Sequence, residues 1–226
     1  MEQFGFTACF FFTNGYMQKD SLTPFPWKRN ILALFGLTVV LYSGYQLSNR
    51  FHFTAPHYLP LTALDYAIPF SLWTVWPYFA LVLLAFLPVG IGDTPLFWRT
   101  LVAFSVAITL NIAVWILFPT VYDRPPMPEG ADLTTFAYRW LCSIDTPANC
   151  LPSGHITLPA IGCWAIARAY PRYRYLIWTV FALLSVTILT TKQHYIYDLP
   201  AGLLTAWIGI RASGPLYARF RKKEKA

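Results

Sequence analysis

The chain has 226 residues, of which 56% are hydrophobic and only 12% are charged, a composition that excludes an ordinary soluble domain and indicates an integral membrane protein. The formal net charge of +7 does not point to nucleic acid, because the basic C-terminal tail RFRKKEKA suits the anionic lipid surface of a cytoplasmic leaflet. The bilayer is therefore an expected partner and nucleic acid is not.

A transmembrane helix needs roughly 20 mostly apolar residues, and six apolar runs of about this length follow one another along the chain. The sixth run is interrupted by Pro200 and several glycines, but Pro200 lies near its start, where a missing backbone N–H costs little. The predicted fold is therefore all-α, a polytopic membrane protein with about six transmembrane helices in one bundle. The predicted spans are 30–48, 67–87, 98–118, 154–170, 174–190 and 195–216.

An even number of spans places both termini on one side of the membrane, and the positive-inside rule selects the side. Thirteen of the 17 lysines and arginines fall on the side of the termini, which is therefore predicted to be cytoplasmic. Residues 1–29 are expected to form a cytoplasmic or interfacial segment, 30–216 the membrane catalytic domain and 217–226 a basic cytoplasmic tail. The loops before spans two, four and six then face the periplasm, the cell exterior or a secretory lumen.

The longest predicted loop, 119–152, lies on this outer side. Its segment DLTTFAYRWL favours a short helix with Asp132 as the N-terminal cap. Cys142 and Cys150 lie in the same loop, on the side that is oxidising in a bacterial inner membrane or a secretory membrane, and are candidates for a disulfide. Two independent buried thiols are the alternative.

Polar residues gather where the outer loops meet the ends of spans four and six. A carboxylate inside a membrane segment costs about 2.5–3.5 kcal/mol at the centre and less near the ends, so Asp198 is expected to have a partner. His194, four residues earlier, shares a helix face with Asp198 if the sixth helix begins at or just before it. The carboxylate would then fix the histidine tautomer and make the other ring nitrogen a better nucleophile. The gathered residues are Arg124, Ser153, His155, Lys192, His194 and Asp198.

The run PSGH at the head of span four suits an anion. Gly154 lets the backbone approach a ligand closely, and the helix N-terminus favours negative charge. Arg124 and Lys192 add positive charge, and an arginine can hold two phosphate oxygens. An anion between a nucleophilic His194 and a proton-donating His155 indicates phosphoryl transfer.

Three motifs in this order resemble those of the type 2 phosphatidic acid phosphatase superfamily: Arg124-Pro125, PSGH at 152–155 and HYIYD at 194–198. The resemblance implies that His194 attacks phosphorus to give a phosphohistidine, that Asp198 orients it, and that His155 protonates the leaving lipid alcohol. It implies a phosphorylated lipid as substrate, a non-cytoplasmic active site, no metal and no cofactor. The residues that would hold the phosphate are Arg124, Ser153 and Gly154.

Two positions depart from the family pattern. Leu117 stands where the first motif has a lysine, and Ile188 stands where the third has an arginine; Lys192 and Arg139 are candidates to replace the lost charge. FPTVYDRP, NCLPSGH and TKQHYIYD are similar to the branch that includes inositol phosphorylceramide and sphingomyelin synthases, which move a phospho-headgroup between lipids. A lipid phosphatase is therefore the expected function, and a lipid phosphotransferase is the alternative.

Two rival functions use the same residues. A metal could bind His155, His194 and Asp198, but Arg124 and Lys192 nearby would repel a cation. Polar residues within a membrane also mark transport paths, but the sequence shows no inverted repeat and these residues gather at one face. A separate pair, His52 and His57, matches no motif and is expected at the membrane interface.

Overall fold

The computed structural model describes residues 25–51 and 53–223, which are mainly helical. Two parts of the sequence analysis therefore lie outside the described residues: His52, and most of the predicted segment 1–29, which includes Cys9. Short 3-10 helices, Leu72–Thr74 and Leu84–Gly90, flank the third helix, and another, Pro171–Tyr173, precedes the seventh. The α-helices are α1 Trp27–Arg50, α2 Ala63–Ala67, α3 Val75–Leu83, α4 Thr94–Leu117, α5 Leu133–Ile144, α6 Gly154–Ala169, α7 Arg174–Ser185, α8 Thr187–Thr190 and α9 Asp198–Lys223.

Four helical stretches among the described residues are long and apolar enough to cross a membrane. They overlap the first, second, third and fifth predicted spans. Helix α6 has only 16 residues, fewer than the roughly 20 that a straight crossing needs, and α9 ends in a basic segment. The four stretches are Trp27–Arg50, Leu72–Gly90, Thr94–Leu117 and Pro171–Thr190.

Helix α9 departs from prediction at both ends. It begins at Asp198, three residues later than predicted, and it continues to Lys223, through the first seven residues of the predicted tail 217–226. Basic side chains in the last turns of a helix interact favourably with its dipole and are good helix formers, which explains the extension.

The outer loops are ordered by local contacts. Asp132 caps α5 by accepting hydrogen bonds from the N–H groups of Thr134 at 3.0 Å and Thr135 at 3.1 Å, which confirms the predicted short helix and its cap. Strands β1, His57–Tyr58, and β2, Thr120–Val121, pair in parallel with His57 opposite Thr120. This pairing joins the loop after α1 to the loop after α4.

Helices α4, α6 and α9 pack at the centre of the bundle. The approach of α9 to α4 is close enough that a Cβ at Gly209 would lie 2.6 Å from the carbonyl oxygen of Ala103, so only glycine fits there. Because α4 ends where α6 and α9 begin, the loops at this end of the bundle bring distant parts of the chain together.

Candidate active site

The N-termini of α6 and α9 meet at this end of the bundle. A Cβ at Gly202, in the second turn of α9, would lie 2.8 Å from the carbonyl oxygen of Ser153, the residue that precedes α6. Trp115, near the end of α4, donates from Nε1 to the carbonyl of Pro152 at 3.0 Å. These contacts fix the position of PSGH against the residues that precede α9.

His194 and Asp198 are in contact, as predicted, but the helix expected to join them is absent. His194 lies in the turn before α9, and its Nδ1 is 2.8 Å from Oδ2 of Asp198. The carbonyl of Cys150 lies 3.2 Å from the same nitrogen. Both neighbours of Nδ1 are acceptors, so Nδ1 carries the proton and Nε2 presents a lone pair. Asp198 is fully buried.

The lone pair on Nε2 of His194 faces two potential donors. Nδ1 of His155 is 3.1 Å away, and Oγ of Ser153 is 3.2 Å away. The structure thus brings four of the predicted residues, His155, His194, Asp198 and Ser153, into one hydrogen-bonded group. Gly154, between Ser153 and His155, lines the cavity beside this group.

A second carboxylate, Asp145, lies on the other side of His155. Its Oδ2 is 4.0 Å from Nε2 of His155 and 3.8 Å from Nη2 of Arg124, and its Oδ1 accepts a hydrogen bond from the hydroxyl of Tyr45. Burial of the ring and the positive charge of Arg124 oppose protonation of His155, whereas the negative charge of Asp145 favours it. His155 therefore lies between His194 and a buried negative charge.

Arg124 is close to the site but already has partners. Its Nη1 donates to the carbonyl of Asp145 at 2.7 Å and its Nη2 to the carbonyl of Thr146 at 3.1 Å. Its Nε has no partner among the described residues. Arg124 therefore holds the segment 145–146 beside His155, and its buried Nε is a donor without a partner among the described residues.

Lys192 is not in this group. Its Nζ donates to the carbonyls of Asp65 at 2.7 Å and Ile68 at 2.6 Å, and burial lowers the pKa of this lysine although Asp65 raises it. Oδ1 of Asp65 accepts the N–H of Ile196 at 2.9 Å. The segment 62–68 thus holds both sides of the turn that carries His194, and the phosphate-binding role predicted for Lys192 has no support in these contacts.

The predicted disulfide between Cys142 and Cys150 is not formed, and both residues are free thiols. Cys150 donates from Sγ to the carbonyl of Pro147 at 3.2 Å, and Cys142 accepts from Nε2 of Gln193 at 3.8 Å. Cys150 is 1% exposed, and burial raises the pKa of its thiol well above the ordinary value. Each sulfur therefore packs against protein groups other than its proposed partner.

A cavity of about 340 Å³ opens beside His155 and His194 and extends between α1, α3, α4 and α6. Its lining is mainly apolar. Tyr78 lines it too, with a ring centroid 5.1 Å from that of His155 and a buried hydroxyl without a partner among the described residues. The apolar residues that define its depth are Leu34, Leu37, Leu41, Val82, Phe86 and Phe104.

Three potential metal ligands lie together behind His194. The donor atoms of Cys150, His194 and Asp198 are within 4.8 Å of one another, a set that differs from the His155, His194 and Asp198 rival considered from sequence. His194 and Asp198 already hydrogen-bond each other, and the Cys150 thiol is protonated because of its raised pKa. A metal would have to replace that hydrogen bond and remove that proton.

The structure adds Asp145, Tyr45 and Tyr78 to the residues found from sequence. Asp145 lies in the same outer loop as both cysteines, and the presence of a carboxylate in that loop is the one sequence signal that could have identified it. Tyr45 and Tyr78 lie inside apolar helices, where the sequence shows no signal.

Chemically, a histidine oriented by a buried carboxylate and adjacent to a second histidine can act as a nucleophile or a base beside an acid.

Comparison of the chain with protein-family models, curated proteins and solved structures found no match. Function is therefore inferred from the site itself.

Proposed function

We propose that this protein is an integral-membrane lipid phosphatase that hydrolyses a phosphate ester of a lipid through a phosphohistidine at His194. The observation that carries this proposal is a chain of contacts at the mouth of an apolar cavity, in which Asp198 contacts His194 and His194 contacts His155. The resemblance of the three motifs to the type 2 phosphatidic acid phosphatase superfamily supports it.

In the first step, the lone pair on Nε2 of His194 attacks phosphorus and forms an N–P bond. The P–O bond to the lipid breaks, its electron pair stays on the leaving oxygen, and His155 donates a proton to that oxygen. Asp198 stabilises the positive charge that develops on the His194 ring.

In the second step, His155 accepts a proton from water while the water oxygen attacks phosphorus. The N–P bond breaks and its electron pair returns to His194, which releases inorganic phosphate and restores the starting state. The Ser153 hydroxyl, the Gly154 N–H and the unpartnered Nε of Arg124 are the donors proposed to hold the phosphate oxygens.

The apolar cavity is proposed to hold a hydrocarbon chain of the lipid. Its lining residues on α1 run from Leu34 to Tyr45, about 16 Å along the helix axis. With both termini cytoplasmic and all six predicted spans in the bilayer, the phosphate lies at the outer membrane face and the chain lies in the hydrocarbon core.

A lipid phosphotransferase is the second candidate. The apolar lining next to His155 favours it, because a lipid alcohol that enters this cavity could replace water in the second step. Leu117 and Ile188, in place of two basic residues of the superfamily, point the same way.

The test supplies purified protein with a panel of labelled phospholipids and lipid phosphates, each with and without diacylglycerol or ceramide. We expect the wild type to release free phosphate, and His194→Ala to release none. His57→Ala is the matched control because His57 stacks on Phe118 with ring centroids 4.5 Å apart, outside the site. Transferred headgroup without free phosphate would support the second candidate, and neither product from any lipid, as for a transporter, would contradict both.

A further inference from the structure

A second cavity of about 410 Å³ lies away from the candidate active site, beside the start of α4, the end of α6 and the middle of α9. Three arginines and three tryptophans line it, together with small and aliphatic side chains and no carboxylate. The six are Arg99, Arg168 and Arg211 with Trp164, Trp178 and Trp207.

The three arginines have no counter-ion among residues 25–51 and 53–223. Every ion pair in that part of the chain involves Asp145 or Asp198, at the other end of the bundle. Asp93, at the same end as the arginines, uses its carboxylate to cap α4 at the N–H of Leu96. Like charges around one cavity repel each other, and an anion between them removes that repulsion.

Arg99 is held in place for such an anion. Its Nε donates to Oγ of Ser213 at 3.1 Å, and its guanidinium lies 5.2 Å from the ring centroid of Trp164, within the range of a cation–π contact. Arg168 and Arg211 are exposed and have no hydrogen bond to described side chains. One fixed and two free guanidinium groups can close around a phosphate from three directions.

The position of the cavity along α6 and α9 indicates where across the membrane its ligand lies. Arg168 lies thirteen positions after His155 on α6, and Arg211 lies thirteen positions after Asp198 on α9, which is about 20 Å along each helix. A hydrocarbon core is roughly 30 Å thick, so if the candidate active site lies at the outer face, as the predicted topology has it, the second cavity lies in the opposite half of the bilayer. Tryptophan is typical of the membrane interface, and basic pockets between helices bind anionic headgroups.

We propose that this cavity binds the phosphate group of an anionic phospholipid in the leaflet opposite the candidate active site. The arginines contact the phosphate oxygens, and the tryptophans pack against the glycerol and the first carbons of the chains. The binding does not depend on the chemistry proposed for His194.

The test is native mass spectrometry of the purified protein titrated with phosphatidylglycerol or, separately, phosphatidylcholine. Each lipid is added to wild type, to the double variant Arg168→Gln/Arg211→Gln and to Arg174→Gln, which changes an exposed arginine outside the cavity. The double variant alters exposed positions, so its fold is expected to persist, and circular dichroism checks it.

We expect the wild type and Arg174→Gln to retain one phosphatidylglycerol that the double variant binds at least tenfold more weakly, and phosphatidylcholine to bind weakly throughout. Equal retention by the double variant, an equal loss in Arg174→Gln, or equal binding of phosphatidylcholine would overturn the proposal. A final arm uses inorganic phosphate: thermal stabilisation that needs Arg168 and Arg211, with no difference in lipid retention, would assign the cavity to a soluble anion and overturn the lipid assignment.

Discussion

Asp198 holds His194 through a single oxygen. Oδ2 of Asp198 lies 2.8 Å from Nδ1 of His194 and accepts the N–H of Tyr195 at 3.0 Å, whereas Oδ1 has no partner among the described residues. Because α9 begins at Asp198, the carboxylate acts from the end of a helix on the turn before it. The orientation and the tautomer of His194 therefore depend on this oxygen together with the carbonyl of Cys150, which lies 3.2 Å from the same nitrogen.

Asp198→Asn tests that dependence. An asparagine that turns its amide NH2 toward Nδ1 favours the tautomer with the proton on Nε2, which removes the lone pair needed for attack. We expect turnover to fall by about 10³-fold or more with little change in KM, measured as product release from the best lipid of the panel. Asp93→Asn, a helix cap at the far end of the bundle, is the control, and near-normal turnover of Asp198→Asn would refute the assigned role.

Asp145→Asn tests whether the second carboxylate supports His155 as the acid. Without the charge 4.0 Å from Nε2 of His155, the protonated ring loses its attraction to Asp145, so turnover should fall by about a hundredfold. The alkaline limb of the pH–rate profile should also move to lower pH. Asp123→Asn is the matched control, since Asp123 is exposed beside Arg124 in the same loop.

A merely structural role for Asp145 would lower thermal stability and leave the shape of the pH–rate profile unchanged. The profile therefore separates the two roles even if Asp145→Asn is less stable than the wild type.

Lys192→Met tests whether Lys192 acts through its hydrogen bonds to Asp65 and Ile68 or, as predicted from sequence, by binding the phosphate. Loss of the ammonium leaves the carbonyls of Asp65 and Ile68 without their donor and loosens the turn that carries His194. We expect kcat to fall by about tenfold or more and Tm by several degrees, with KM nearly unchanged. A large rise in KM at normal Tm would instead restore the phosphate-binding role, and Lys28→Met is an exposed control.

The group around His194 was predictable because each of its residues lies beside the end of a predicted span. The contact between His194 and Asp198 was predicted for the wrong reason, since a four-residue spacing allows a turn as well as a helix. The contacts of Lys192 with Asp65 and Ile68 were not predictable, because the charge of a residue does not show which way its side chain points. Asp145 was missed because its contacts with Arg124 and His155 depend on the path of the loop 119–152, which no periodic pattern encodes.

Asp65→Asn tests how the stability of the segment 62–68 depends on pH. Burial raises the pKa of Asp65, but hydrogen bonds from Thr62 and Ile196 outweigh this and hold it below the ordinary value of 3.8. The depressed pKa means that the ionised carboxylate stabilises the fold above pH 3.8 and that this contribution is lost as the pH falls through the folded-state pKa.

We expect Asp65→Asn to lower the free energy of unfolding by about 1–3 kcal/mol at neutral pH and to flatten its decline in acid. Thermal unfolding in detergent between neutral pH and pH 3 measures both effects. Glu129→Gln changes an exposed carboxylate and should behave as the wild type. An unchanged acid decline in Asp65→Asn would show that other groups cause it.

Thiol labelling tests the two cysteines of the outer loop. In the folded protein Cys150 should resist maleimide, because it is buried and its raised pKa leaves little thiolate. Cys142 is half-buried and should react faster, and Cys163, buried in α6, is an internal control for unfolding. After denaturation without reductant, all three should react fully. A linked peptide that joins Cys142 to Cys150 and separates only on reduction would contradict the structure, in which both thiols are free. The sequence alone does not decide between these outcomes, because spacing along the chain does not ensure the Cα separation and Cβ directions that a disulfide needs.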